Sequence, residues 1–247
     1  MKMRDQGYEK SAHLYDWFDT KDNIPFFLHY GRGAGEILDI GAGTGRIAIP
    51  LAEAGVKVFC VEPSPAMRKV FQGKLTKKSD LRKNIVLVEG EAGNFDLGRE
   101  FPAAYLSGTF DHFLDHDERV VSLLNINKHL CVGGKLIFDA FIGLMQAKPL
   151  SPAGEVVEGI MTYKRLVGVK LLSEMQLEVQ LIYEVMENDL LVERIEERSY
   201  AAVMDREGIL ELLEKTGFSV QEEFGNYQRD LFQEGDEILI IQASKVI

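Results

Sequence analysis

Positive charge is scarce in this sequence. Its 247 residues carry 28 Lys and Arg against 39 Asp and Glu, a formal net charge of −11 at pH 7. Binding to a phosphate backbone rests on cationic side chains that displace counterions, so no nucleic acid is expected as a partner. The one cationic cluster, Lys69, Lys74, Lys77, Lys78, Arg82 and Lys83, reads as a solvated helix face and loop. Cysteine is nearly missing too. Cys60 and Cys131 lack the spacing of a metal site, so no metal is expected, and two buried thiols fit a reducing cytoplasm. No apolar run approaches the roughly 18 residues of a membrane span. The opening MKMRDQGYEKSAHLYD holds no signal-peptide core, so neither membrane nor secretion is expected. Internal repeats and low-complexity linkers are absent.

What remains is an ordinary globular composition, 46% apolar and 27% charged, long enough for one large α/β domain over residues 1–247. Strand and helix patterns alternate through the first 140 residues. EILDI (36–40), VKVFCVE (56–62), NIVLVEGE (84–91), AAYLSG (103–108) and KLIFDAF (135–141) read as strands. RIAIPLAEAG (46–55), PAMRKVFQGKL (65–75) and ERVVSLLNINKHLCVGG (118–134) read as helices, the last closed by Gly133-Gly134. This alternation predicts a doubly wound, mostly parallel sheet. Residues 143–203 break the pattern. VVEGIMTYKRL (156–166) and two alternating segments around Asn188-Asp189 predict an inserted three-stranded antiparallel ribbon. Asp205 then caps a helix over 206–217. FSVQEEF and EILIIQA close the chain as strands, one of them antiparallel.

The first strand runs into ILDIGAGTG, three glycines in five residues. In a doubly wound sheet, ligands sit beyond the carboxyl ends of the strands, where strand order reverses. Glu62, at the end of the second strand, can accept from a ribose diol, as in dinucleotide sites. NAD and S-adenosylmethionine therefore both remain possible ligands at this point. Three details favour the latter. The glycines are spaced G-x-G-x-G, one position short of the dinucleotide fingerprint, whose sixth position here is Arg46. Asp39 would repel a pyrophosphate but attract an amino group and a sulfonium. Glu91, after the third strand, can accept from an adenine amino group.

These motifs resemble the class I S-adenosylmethionine-dependent methyltransferases of small-molecule type, over essentially the whole chain. EILDIGAGTGRI resembles their first motif, VEPSPAM (61–67) the second, and GEAGNF (90–95) the third, with Glu91 where Asp is common. Tyr8, Ala12 and Tyr15-Asp16 resemble the lid helix of that family, expected over residues 1–30. GTFDHFLD…HLCVGGKLIFD and EKTGFSV…FGNY…EILIIQASK resemble the second half of its fold. The resemblance implies S-adenosylmethionine as cofactor, S-adenosylhomocysteine as product, and a seven-stranded sheet. It implies cofactor contacts from Tyr8 and Tyr15 to the methionine part, and from Asp39, Gly41, Ala42 and Gly43 in the glycine loop. Glu62, Pro63 and Met67 fall to ribose and adenine, Glu91 and Ala92 to adenine, and Ser107 to the methyl-bearing end.

Methyl transfer asks the protein to hold donor and nucleophile in line within a dry pocket, with a base only where the nucleophile keeps its proton. His112, in the loop LSGTFDHF (106–113), is the candidate base or substrate contact, or else an orienting residue; Asp111 is a second candidate. His116 and His129 read as surface or helix-face residues. Neither Asn/Asp-Pro-Pro-Tyr nor a Pro-Cys pair is present, which again argues against a nucleic acid substrate. The insertion, with Met161, Tyr163, Met175, Tyr183 and Met186, reads as a lid over a small-molecule pocket, a homodimer interface, or an extra layer. Two other functions stay open: a non-catalytic S-adenosylmethionine-binding protein and an NAD-dependent oxidoreductase.

Overall fold

A computed structural model describes residues 7–246. Two short helices, α1 (Tyr15–Phe18) and α2 (Asn23–Gly31), precede the alternating half. That half runs β1 (Glu36–Ile40), α3 (Ala48–Glu53), β2 (Lys57–Glu62), α4 (Pro65–Lys77), β3 (Ile85–Glu89), β4 (Phe101–Leu106), α5 (His116–Lys128) and β5 (Leu130–Phe141). Four long strands follow: β6 (Lys148–Glu158), β7 (Met161–Leu171), β8 (Gln176–Glu187) and β9 (Leu190–Ala202). The chain ends with α6 (Arg206–Lys215), β10 (Phe218–Phe224) and β11 (Ile238–Lys245).

Seven strands form one sheet in the order β10-β11-β5-β4-β1-β2-β3. β1 to β5 pair in parallel, and β11 runs antiparallel to both β5 and β10. Because successive side chains point to opposite faces of a strand, the sheet divides the core in two. Leu38 and Ile40 pack with Leu123 and Ile126 of α5 and with Ile209 and Leu212 of α6. Ile37 faces the other layer, with Phe26 and Phe27 of α2, Leu51 of α3 and Phe71 of α4. Local chemistry sets the helix starts. The Ser64 hydroxyl accepts from the Met67 N–H with Pro65 in the first turn, and the Asp205 carboxylate accepts from the Gly208 N–H. At α5 the caps are reciprocal: Asp115 accepts from the Glu118 N–H while Glu118 reaches back to the Leu114 N–H.

Three expectations need correction. The insertion has four strands rather than three, in the order β6-β7-β8-β9. VVEGIMTYKRL is not one strand but the end of β6, a turn at Gly159-Ile160, and the start of β7. The missing strand, KPLSPAGEVVE, hides behind Pro149 and Pro152, which a sheet tolerates on an edge such as β6. The Asn188-Asp189 turn joins β8 to β9, both residues at positive φ. Second, α5 ends at Lys128, so Gly133-Gly134 belongs to β5 rather than closing a helix. Gly133 has φ 75°, beside an irregularity in the β4–β5 register. Third, the expected N-terminal helix is a run of turns over residues 7–14 followed by α1; its residues 1–6 lie outside the described residues.

The four-stranded ribbon docks through backbone carbonyls. Arg119 of α5 donates to the Ala202 carbonyl, and the His112 ring donates to the Tyr200 carbonyl at 3.1 Å. Its inner face, with Leu181, Tyr183 and Ile195, packs on Leu14 and Phe18 of the N-terminal segment.

Candidate active site

One cavity of about 880 Å³ opens at the carboxyl ends of β1 to β4, near the top of the roughly 300–1,000 Å³ usual for small-molecule sites. It lies at the switch point, where β2 and β3 lead one way from β1 and β4 and β5 the other. The twelve expected cofactor contacts and His112 all line it. β1 brings Asp39 and the loop Gly41, Ala42 and Gly43. β2 brings Glu62, Pro63 and Met67; the β3 end, Glu91 and Ala92; and the β4 end, Ser107 and His112. Tyr8 and Tyr15 come from the N-terminal segment, their rings edge to face at 5.0 Å.

The loop glycines do different work. A Cβ on Gly41 would fall 2.3 Å from the Thr109 hydroxyl, so its absence lets the β1 and β4 loops touch. A Cβ on Gly43 would meet only the Gly41 carbonyl, at 3.9 Å. Gly43 therefore answers to its positive φ of 56° rather than to a crowded neighbour, and the space beside it leaves room for a ligand to approach the backbone.

Two carboxylates sit under that loop. Glu62 accepts from the Gly43 and Ser64 N–H groups, both at 2.8 Å. Each oxygen has a lone pair left to accept from a vicinal diol. Burial pushes the Glu62 carboxyl up, and the two backbone bonds pull it back. Asp39 is more exposed to that conflict. Its side chain is buried, and Oδ2 has no hydrogen-bond partner among the described residues. Burial raises its pKa from 3.8 to about 7, against the pull of Arg46 and with a push from Glu62. A buried carboxylate with an open acceptor calls for a cationic donor in the cavity.

The β4 loop is held from behind. Asp139, at the end of β5, accepts from the Gly108 N–H at 2.6 Å and from the Tyr227 hydroxyl at 2.8 Å. Ser107 accepts from the Asn23 amide at 2.8 Å, and Arg46 donates to the same Asn23. The His112 bond to the Tyr200 carbonyl makes Nδ1 the donor and Nε2 the basic atom of the ring.

Other candidates lie elsewhere. Asp111 does not line the cavity: it is partly buried, desolvation pushes its pKa up to about 7, and it accepts from the Phe141 N–H at 3.1 Å. His116 is exposed at the start of α5. His129 is not a surface residue. It is 1% exposed, rests on Phe95, accepts from the Leu97 N–H and donates to the Asn125 carbonyl. Tyr200 turns its hydroxyl to Glu178. Sequence reasoning missed Arg46 and Gln176, which also line the cavity. Arg46 pairs with Asp19 at 2.9 Å, and Gln176 donates to the Leu114 carbonyl at 2.9 Å. The arginine stood in plain view as the misfit in the dinucleotide spacing.

Comparison with known proteins agrees with this geometry. Residues 37–134 match the family described as a methyltransferase domain. A Bacillus thuringiensis (strain Al Hakam) protein described as an uncharacterized methyltransferase is 29% identical over 142 residues, covering 53% of this chain and 64% of the relative. The match thus spans less than two thirds of that relative. Among solved structures, the CcbJ methyltransferase of Streptomyces caelestis superposes with a TM-score of 0.78 at 19% identity, covering 97% of both chains. CalS10 from Micromonospora echinaspora, an amino pentose methyltransferase of calicheamicin biosynthesis solved with S-adenosylmethionine bound, gives 0.70 at 18% identity over 99% of both. At these identities the likeness speaks for the fold.

Proposed function

We propose that the chain, whose residues 37–134 match a methyltransferase-domain family and whose fold is similar to that of solved methyltransferases, is an S-adenosylmethionine-dependent methyltransferase acting on a small molecule. The observation that carries this reading is the pairing of two carboxylates in one cavity. Asp39 offers a buried oxygen without a partner among the described residues to a cation, and Glu62 has lone pairs left for a diol. The same Asp39 opposes a pyrophosphate and so argues against NAD. When bound, S-adenosylmethionine supplies a methyl group made electrophilic by its sulfonium. This chain's residues do the rest. Glu62 and Asp39 orient the donor, Met67, Glu91 and Ala92 border the adenine, and Tyr8 and Tyr15, in a lid over residues 7–30, exclude water.

For the acceptor we favour an amine. The cavity wall carries Glu9 and Asp117 besides the carboxylates already assigned, and among the described residues Arg46 is its one guanidinium. CalS10, which shares the fold, is described as acting on an amino pentose. An ammonium must lose its proton before it attacks, and His112 Nε2 is the base that takes it. Under this reading the reaction is cytoplasmic, in keeping with two unpaired cysteines. No helix among the described residues is long and apolar enough to cross a membrane. A homodimer is proposed through the ribbon tip, where Ile160, Leu190, Leu191 and Val192 are each more than half exposed.

Calorimetric titration with S-adenosylmethionine, S-adenosylhomocysteine and NADH tests the cofactor. Micromolar binding of the first two alone supports the proposal; binding of NADH alone overturns it. Release of S-adenosylhomocysteine with members of an amine panel separates an enzyme from a non-catalytic binder. Sedimentation at increasing concentration tests the dimer.

A further inference from the structure

The N-terminal segment is held from two sides. On the core side, Asp16 accepts from the Thr44 hydroxyl at 2.6 Å and pairs with Lys74, while Asp19 pairs with Arg46. On the ribbon side, one carboxylate takes the load. Glu197 of β9 accepts from the Lys10 N–H at 2.5 Å through Oε1, and from both the N–H (3.1 Å) and the hydroxyl of Ser11 through Oε2. Glu197 is 7% exposed and Ser11 fully buried. A carboxylate in such a place loses its water, and these donors stand in for it. The ribbon itself does not need the charge. Across the sheet Glu197 faces Leu181, and its neighbours on the inner face are Ile195 and Ser199, so an apolar side chain would satisfy the packing there.

The residues just before Lys10 explain what the charge serves. Gly7, Tyr8 and Glu9 line the cavity, and Tyr8 packs on Tyr15, which lines it as well. Fixing the Lys10 and Ser11 amides fixes the segment that closes the cavity. We propose that Glu197 is a positioning residue for methyl transfer: it ties the lid to the inserted ribbon and keeps Tyr8 and Glu9 closed over the cofactor. This rests on the S-adenosylmethionine reading above. It also gives the ribbon a part in cofactor retention, although only Gln176 of the ribbon reaches the cavity wall.

The chain carries its own reporter. Trp17 is the single tryptophan. It sits in α1, and its ring lies 4.4 Å from that of Tyr163 on β7, so its emission reads whether the segment is docked on the ribbon. Stopped-flow displacement of S-adenosylhomocysteine gives its release rate. In Glu197→Ala, release is expected to quicken at least tenfold, with a red shift of Trp17 emission in the free protein. Glu197→Gln, which keeps an acceptor but loses the charge, should fall between. Glu193→Gln, exposed on the same strand, should match wild type. Release within twofold of wild type in Glu197→Ala, or a lowered melting temperature with unchanged release, overturns the proposal. If Glu197→Ala does not fold, Glu197→Gln and Ser11→Ala carry the same comparison. Failure of the wild-type protein to bind S-adenosylhomocysteine refutes the cofactor reading instead, a result that release rates in a binding-competent protein cannot mimic.

Discussion

Asp39→Asn should move stability and cofactor affinity in opposite directions. The substitution keeps the shape and removes the charge. In the free protein burial holds this carboxyl at about 7 rather than 3.8, and each pH unit is worth ~1.4 kcal/mol, so the buried charge costs up to about 4 kcal/mol. The sign follows from proton binding. Below pH 7 the folded state holds a proton that the unfolded chain has released, so stability rises as pH falls from above 7 toward 4. The cost is complete above pH 7 and gone below about 4. Asp39→Asn should therefore melt higher than wild type at pH 8 and equal to it near pH 4. Affinity runs the other way. A cationic ligand binds the ionised form, so wild-type affinity for S-adenosylmethionine should climb about fivefold from pH 6 to 7, reach about tenfold by pH 8, and level off above that. The variant should be flat with pH and, at pH 8, weaker by roughly 10- to 100-fold, the value of a hydrogen bond to a charged group, about 1.5–3 kcal/mol. Scanning calorimetry and isothermal titration across pH 5–8.5 read both. A variant that keeps the wild-type pH slope, or that melts lower at pH 8, refutes the assignment of Asp39 as the buried partner of a cation.

Further outcomes follow from the same geometry. Glu62→Gln places an amide donor against one of two backbone N–H groups, at roughly 1–3 kcal/mol. Its affinity for S-adenosylhomocysteine should fall at least about tenfold by calorimetry, and unchanged affinity would remove Glu62 from the ribose. Gly41→Ala and Gly43→Ala should separate. Both residues have positive φ, but only the first would clash with a neighbour, Thr109. Thermal melts should show Gly41→Ala the less stable of the two, while Gly43→Ala loses more affinity than its melting temperature accounts for. His112→Asn can keep the donor to the Tyr200 carbonyl but has no basic atom. Turnover of an amine acceptor should drop on the order of 10²-fold with S-adenosylhomocysteine affinity unchanged; full turnover would leave His112 an orienting residue.

Much of this site was legible because strand ends and their loops are local in sequence. Ile37–Gly45 and Val61–Met67 each carry their own pattern, and parallel pairing then brings Asp39 and Glu62 together. What could not be read depends on distant partners. Glu197 lies 186 residues from Ser11, and Asp139 lies 88 from Tyr227. One clue to Glu197 was available: it occupies an inward position in the alternation of β9, between Ile195 and Ser199, where a carboxylate needs a partner. Pro149 and Pro152 mask the strand pattern of β6, and Gly133-Gly134 fits the end of a helix as readily as a bulge in a strand, so local pattern leaves β6 and the end of α5 illegible. His129 became a core residue through that shorter α5, which turns its ring onto Phe95.

The ribbon's attachment has a consequence for how such a protein can change. Arg119 and His112 grip it by the carbonyls of Ala202 and Tyr200, groups that every amino acid possesses. At those two points the core recognises where the ribbon's backbone runs rather than which side chain it bears. Side chains on the ribbon's outer face, away from Leu181, Tyr183, Ile195 and Glu197, are then free to be exchanged without the ribbon losing its seat. The ribbon's outward surface can in this way change while the cavity wall, which takes only Gln176 from it, stays as it is.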